Sequence, residues 1–223
     1  MRPYYEETGI QIFHGDCREI LPTLGKFDLL LTDPPYGIGL DTKNAARKRG
    51  FRPYDANCRA VDLPPVAGDD APFDPLPLLP LAKASVLWGA NNYASKLPDS
   101  PCWLAWDRKD RRAADSDITD VELAAVIGHH FKTVRIFRHM WAGFQRDSEV
   151  GSRVLHPTQK PVALMSWCLG FFPEAKTVVD PYMGSGPVAK ACKDRGLKYV
   201  GIDLVEKYCE TSVNRLRQEV LFL

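Results

Sequence analysis

The chain has 223 residues, 45% of them hydrophobic, enough to bury the core of one folded domain. Its formal net charge of +1 excludes a globally basic surface, so a polyanionic partner would have to be held by local patches. No apolar run reaches the roughly 18 residues of a membrane span, and Met1 to Ile10 lacks the apolar core of an export signal. In chain order, short apolar runs predict strands near Ile10–His14, Phe27–Thr32, Ser85–Trp88, Cys102–Trp106, Thr133–His139, Thr177–Asp180 and Tyr199–Ile202. Amphipathic stretches predict helices at Val162–Phe172, Pro187–Arg195 and Glu206–Val220. This alternation is that of an α/β domain with a mostly parallel sheet. The six cysteines show neither CxxC nor the Cys/His spacing of a zinc site, which points to reduced thiols and no metal.

The segment Gly37 to Pro80 departs from the alternation, being rich in proline and charge, and a loop that long is functional or mobile. Its first part carries Lys43, Arg47, Lys48, Arg49, Arg52 and Arg59 against Asp41 and Asp55. Read alone, this is a solvated loop; directly after the motif described next, it suits a phosphate backbone.

That motif is Asp33-Pro34-Pro35-Tyr36, at the end of the apolar run Phe27 to Thr32. Two prolines stop a strand, because neither can donate to the ladder, and the first holds Asp33 extended. The result is a rigid turn at the carboxyl end of a strand, where open α/β sheets bind ligands. It offers a carboxylate, a free carbonyl and an aromatic ring, the parts needed to grip an amino group on a flat heterocycle. A second strand-turn, Thr177 to Pro187, ends in Asp180, runs through Gly184 and Gly186, and opens a helix at Pro187. It is neither GxGxxG nor a phosphate P-loop. Asp203 ends the following strand, placed as an acid that meets a ribose.

With these elements the chain resembles the DNA amino-methyltransferases, in the circular order that places DPPY before the cofactor loop (beta-class order). Asp33 to Tyr36 matches DPPY, and Asp180 to Gly186 is similar to the DPFxGSG loop. His156-Pro157-Thr158-Gln159-Lys160-Pro161 matches HPTQKP, and Gly15-Asp16-Cys17 resembles a GDC element. The resemblance covers residues 10 to 215. It implies a Rossmann-like fold, a seven-stranded sheet with helices on both faces, and S-adenosyl-L-methionine as cofactor. Asp33 and the carbonyl of Pro34, held by Pro35, would grip the target amine, and Tyr36 would stack on a flipped base. Asp180, Pro181, Tyr182, Gly184, Ser185 and Gly186 would shape the methionine pocket. Asp203 would meet the ribose and Asp16 the adenine, with Lys160 and Pro161 closing the cleft. Asp at the head of the motif implies adenine N6 as target, with cytosine N4 as the alternative. A non-catalytic DNA-recognition subunit is a further one. An oxidoreductase is disfavoured by the absence of GxGxxG.

Two departures stand out. Pro187-Val188 replaces the family's Thr-Thr, putting cofactor affinity in question. The chain also leaves no space for a large target-recognition domain, so the whole of 1–223 reads as one domain that contacts double-stranded DNA through loops. Besides Lys43 to Arg52, candidates are Arg108, Lys109, Arg111 and Arg112, and then Arg146 and Arg153. Gly89-Ala90-Asn91-Asn92-Tyr93 resembles a loop lining the base pocket of related small enzymes. Trp88, Trp103, Trp106 and Trp141 read mostly as core. The resemblance implies a cytoplasmic enzyme of a bacterial or phage-infected cell, small and phage-like, of the restriction-modification type, and compatible with a homodimer.

Overall fold

The computed structural model describes residues 2–40, 66–108, 119–129, 131–142, 145–150 and 158–218. Its strands are β1 (Tyr5–Glu7), β2 (Ile10–His14), β3 (Phe27–Thr32), β4 (Ala82–Trp88), β5 (Trp103–Asp107), β6 (Val121–Ile127), β7 (Val134–Arg138), β8 (Trp141–Ala142), β9 (Gln145–Arg146), β10 (Thr177–Asp180) and β11 (Lys198–Asp203). The helices are α1 (Cys17–Ile20), α2 (Val162–Leu169), α3 (Pro187–Asp194) and α4 (Glu206–Arg217). None of them is long and apolar enough to cross a membrane.

Nine strands form one sheet in the order β1-β2-β11-β10-β3-β4-β6-β5-β7, while β8 and β9 form a separate hairpin. The sheet thus exceeds the expected seven strands by two. All seven expected strands are present and run in one direction; β1 and β6 are the additions and run antiparallel. Neither has a strand's signature in sequence. Tyr5–Glu7 is short and polar, and Val121-Glu122-Leu123-Ala124-Ala125 has the residue types of a helix.

The two faces are covered unequally. On one, α2, α3 and α4 bury Leu164, Cys168, Val188, Cys192, Val213 and Leu216 against Ile12, Leu31, Val86 and Trp88. On the other, the described cover is the one-turn helix α1 and short 3-10 turns, with Phe73 and Leu78 inserted beside Tyr93. Residues 66–80, the end of the long proline-rich segment, therefore contribute to the core. Trp88, Trp106 and Trp141 are buried as expected.

The connections place the cleft. From β10 the chain turns outward to β11, and from β3 it turns the opposite way to β4. The reversal falls between β10 and β3, the topological switch point at which open α/β sheets bind ligands. Asp28 braces the far end of the same strand pair, accepting from the amides of Lys176 and Thr177 and from Thr177 Oγ1 at 2.9–3.1 Å. The Lys83 ammonium at 2.7 Å, with those donors, holds its carboxyl far below the usual carboxylate range.

Candidate active site

Four acids stand at the carboxyl ends of four neighbouring parallel strands: Asp16 just after β2, Asp203 on β11, Asp180 on β10 and Asp33 just after β3. Sequence positions far apart thus form one row along the cleft. The acids differ in what they do.

Asp180 is buried and internally engaged. Thr32 Oγ1 donates to its Oδ1 at 2.7 Å and the Tyr182 amide at 3.2 Å. It ties β3 to β10 at the switch point, and burial pushes its pKa up to about 7. Asp203 takes the Gly184 amide on one oxygen and the Val205 amide on the other, both at 2.8 Å. Each oxygen keeps a lone pair for a hydroxyl donor. Burial raises its pKa to about 6, against the pull of those two amides. Asp16 caps α1 by accepting from the Arg18 amide, and the Arg18 guanidinium beside it holds its carboxyl below the ordinary value.

Between these acids, Gly184 and Gly186 take left-handed φ of 53° and 72°. A Cβ on Gly186 would lie 2.4 Å from Ser212 Oγ, so only glycine fits this turn against α4. Pro187 occupies the first position of α3, where its missing N–H costs nothing, so the departure from Thr-Thr leaves the helix start intact. Ser185 is buried, and its carbonyl accepts from Arg215 at 3.1 Å. Arg215 is in turn ion-paired with Glu149, whose other oxygen caps the Val162 amide of α2 at 2.9 Å. Pro181 is buried beside Asp180, and the half-buried Tyr182 ring meets Phe73 edge-on. A loop of positive-φ glycines between two acids at neighbouring strand ends fits a nucleoside-bearing cofactor.

Asp33 and Tyr36 lie together on the other side of the switch point. The Tyr36 hydroxyl donates to Asp33 Oδ1 at 2.6 Å. Lys160, expected at the cofactor cleft, pairs with Asp33 Oδ2 and donates to Tyr36 OH at 3.1 Å. Its ammonium also meets Glu122 Oε2 at 3.1 Å, and Glu122 is paired with Arg108. The lysine side chain is 3% exposed, whereas that of Asp33 retains 19%. Lys160 thus lies beneath the carboxylate and Asp33 faces the opening. Burial alone would lower the pKa of Lys160, but Asp33 and Glu122 outweigh it and raise it. Burial would raise that of Glu122, but Lys160 and Arg108 bring it below the ordinary value. Asp33 is raised by burial, with Glu122 adding to it against Lys160.

Two backbone features fix the Tyr36 ring. A Cβ on Gly89 (φ +72°) would lie 1.9 Å from Tyr36 Cε1, so the ring rests on the glycine backbone after β4. The Asp69 carboxylate collects the amides of Tyr36, Gly37, Ile38 and Leu40 at 2.7–3.3 Å. Tyr93 closes this side, its hydroxyl donating to the Trp88 carbonyl at 2.6 Å.

Glu122, Asp69 and Glu149 were not among the sequence candidates. Glu122 carries a visible signal, a single charge inside the apolar run Val121 to Ile127, which burial tolerates only when paired. Of the basic candidates, Arg108 is held by Glu122 and lies over the Trp106 ring, and Arg146 lies over Trp141 at 4.4 Å. Lys43, Arg47, Lys48, Arg49, Arg52, Lys109, Arg111, Arg112 and Arg153 lie outside the described residues, as do His156 and Pro157.

A family model described as DNA methylase, of N6/N4 type, matches residues 96–214, just over half of the chain. Type II methyltransferase M.ScaI of Streptomyces caespitosus is 24% identical over 98% of this chain and 84% of that protein. The PvuII DNA methyltransferase, specific for cytosine N4, superposes with a TM-score of 0.59 over 99% of this chain and 90% of its own, at 12% identity. M1.HpyAVI in complex with SAM gives a TM-score of 0.55 over 93% of this chain and 100% of its own, at 20% identity. At such identities the structural likeness speaks for the fold.

Proposed function

The chain belongs to the N6/N4 family of DNA methylases, enzymes dependent on S-adenosyl-L-methionine, and we propose that its target is the N6 amino group of adenine in double-stranded DNA. The observation that carries this reading is the pairing of Asp33 with Tyr36 beside the glycine turn, at the carboxyl ends of β3 and β10. When bound, S-adenosyl-L-methionine supplies an electrophilic methyl group. Asp203 would hold its ribose, Asp16 the adenine end, and the turn Pro181 to Gly186 its methionine part, with Lys160 and Pro161 beside the cleft. On the substrate side, Asp33 and the carbonyl of Pro34 accept the two amino hydrogens, leaving the nitrogen lone pair directed at the methyl donor. Tyr36 supports the flipped base by stacking. Asp33, ionised and partly exposed, then takes the proton that the nitrogen sheds on methylation. Catalysis rests on orientation, with no covalent enzyme intermediate. Asp rather than Ser at the head of the motif supports adenine over cytosine. The basic residues Lys43 to Arg52 and Lys109 to Arg112, with Arg146 and Arg153, supply the backbone contacts.

Transfer of labelled methyl groups to unmethylated DNA, followed by nucleoside mass spectrometry, tests the proposal. N6-methyladenine is expected; N4-methylcytosine would overturn the base assignment. Asp33→Ala should abolish transfer and leave cofactor binding within about twofold, since Lys160 keeps Glu122 as its partner and the glycine turn lies on the other strand. Surviving activity would refute the mechanism.

A further inference from the structure

Lys160 stands between two carboxylates, Asp33 on one side and Glu122 on the other, and Arg108 holds Glu122 from behind. All four charges sit at the carboxyl edge of the sheet. Glu122 comes from the antiparallel strand β6, across from Trp106 on β5. This arrangement poses a problem for Asp33. A buried ammonium facing a single carboxylate forms a closed pair, in which the carboxylate is saturated and strongly acidic. Such a group is a poor acceptor for an incoming amine and a poor base for its proton.

We propose that Glu122 is a positioning residue that shares the Lys160 ammonium with Asp33, so that Asp33 stays ionised yet open to the target amine and basic enough to accept its proton. The inference rests on the amino-methyl transfer read above. In that transfer the amine nitrogen gains the methyl group as its bond to the sulfonium sulfur breaks, the electron pair staying on sulfur to give a neutral thioether, and the proton shed by nitrogen passes to Asp33 and on to water. Arg108 serves Glu122 in the same way that Glu122 serves Lys160. Each interior charge of the row Arg108, Glu122, Lys160, Asp33 has two opposite neighbours, and only Asp33 ends at the opening. The other titratable groups facing Asp33 are the hydroxyl of Tyr36 and, farther off, Tyr93 and Asp180. Neither tyrosine carries charge at neutral pH, because burial raises both above their ordinary values.

The test is single-turnover methyl transfer by wild type, Glu122→Gln, Lys160→Met and the double variant, from acid to neutral pH with saturating cofactor. Glu122→Gln removes an anion near Asp33 and leaves Lys160 to it alone. The rate should fall on the order of tenfold, and the acid limb of the pH profile should move to lower pH. The same displacement is read without turnover from the Asp33 13Cγ titration in the free protein. In the Lys160→Met background, Glu122→Gln should cost far less than in wild type, since only its direct field on Asp33 is left to remove. A merely structural Glu122 would lower the rate with an unmoved acid limb and with factors that multiply, and that result would overturn the proposal. If the lone Arg108 prevents folding of Glu122→Gln, Arg108→Met with Glu122→Gln removes both partners and carries the same prediction. An inactive wild type would sink the reading of the site. An active wild type matched by Glu122→Gln would sink only this role of Glu122.

Discussion

Substituting Gly89 by alanine tests whether the tyrosine of the catalytic turn is fixed from below. The added Cβ would stand 1.9 Å from Tyr36 Cε1 and 2.2 Å from Cζ, at a backbone φ of +72°. Ordinary carbon contacts lie near 3.5–4 Å, so the ring must retreat by roughly 1.5 Å. The left-handed conformation adds about 1–2 kcal/mol for a residue with a Cβ. A retreat of that size breaks the 2.6 Å bond from the Tyr36 hydroxyl to Asp33 and shifts the base platform. Misplacement by about 1 Å costs on the order of 100-fold in rate, so single-turnover transfer should fall by that factor. Calorimetric titration should show cofactor affinity nearly unchanged, because Gly89 follows β4 and the glycine turn follows β10. Melting should move by a few degrees, at about 2–4 °C per kcal/mol for a chain of this size. Gly25→Ala is the control, since a Cβ there meets nothing within 4 Å. A Gly89→Ala enzyme within about threefold of the wild-type rate would refute the argument that this backbone positions Tyr36.

Asp69→Ala should destabilise by about 2–4 kcal/mol, because four amides lose a charged acceptor. It should also expose residues 37–40 to limited proteolysis. Asp69→Asn should be far milder, since Oδ1 serves Tyr36, Gly37 and Ile38 and only Leu40 relies on Oδ2; equal losses would contradict that geometry. Asp180→Asn should flatten the dependence of melting temperature on pH. The folded pKa of Asp180 is raised from 3.8 to about 7, so the native state holds the proton more tightly than the unfolded chain. Its contribution to stability is complete below the unfolded value and is lost as pH rises through about 7. A wild-type melting curve that matched the Asn variant across that window would show the carboxyl to be ionised throughout.

The parallel part of the fold was legible because each of its strands is an apolar run bounded by a turn signal, as in Thr177-Val178-Val179-Asp180 before its glycines. The antiparallel strand β6 was not, since Glu122-Leu123-Ala124-Ala125 follows helix-like residue preference and only pairing with β4 and β5 makes it extended. At the site, Asp33 with Tyr36 and Asp180 with Asp203 could be read as pairs because chain-local turns place them at strand ends. Lys160 could be named but not placed, since its partner Asp33 is 127 residues away. Asp69 and Glu149 act on backbone amides, which leave no trace in residue type.

The sheet order has a consequence for the birth of the protein. Strands β10 and β11 fill the gap between β2 and β3, so the first strands synthesised meet only through the last. The His14 ring rests on the carbonyl of Leu204, 190 residues later. At about 5–20 residues per second, roughly 10–40 s separate the emergence of those two contacts. Throughout that interval β2 and β3 each present an unpaired apolar edge, the kind of surface that chaperones cover and neighbouring chains invade. A chain stalled before Thr177 would hold both edges apart across a space two strands wide, with Asp33 and Lys160 already made and the glycine turn still to come.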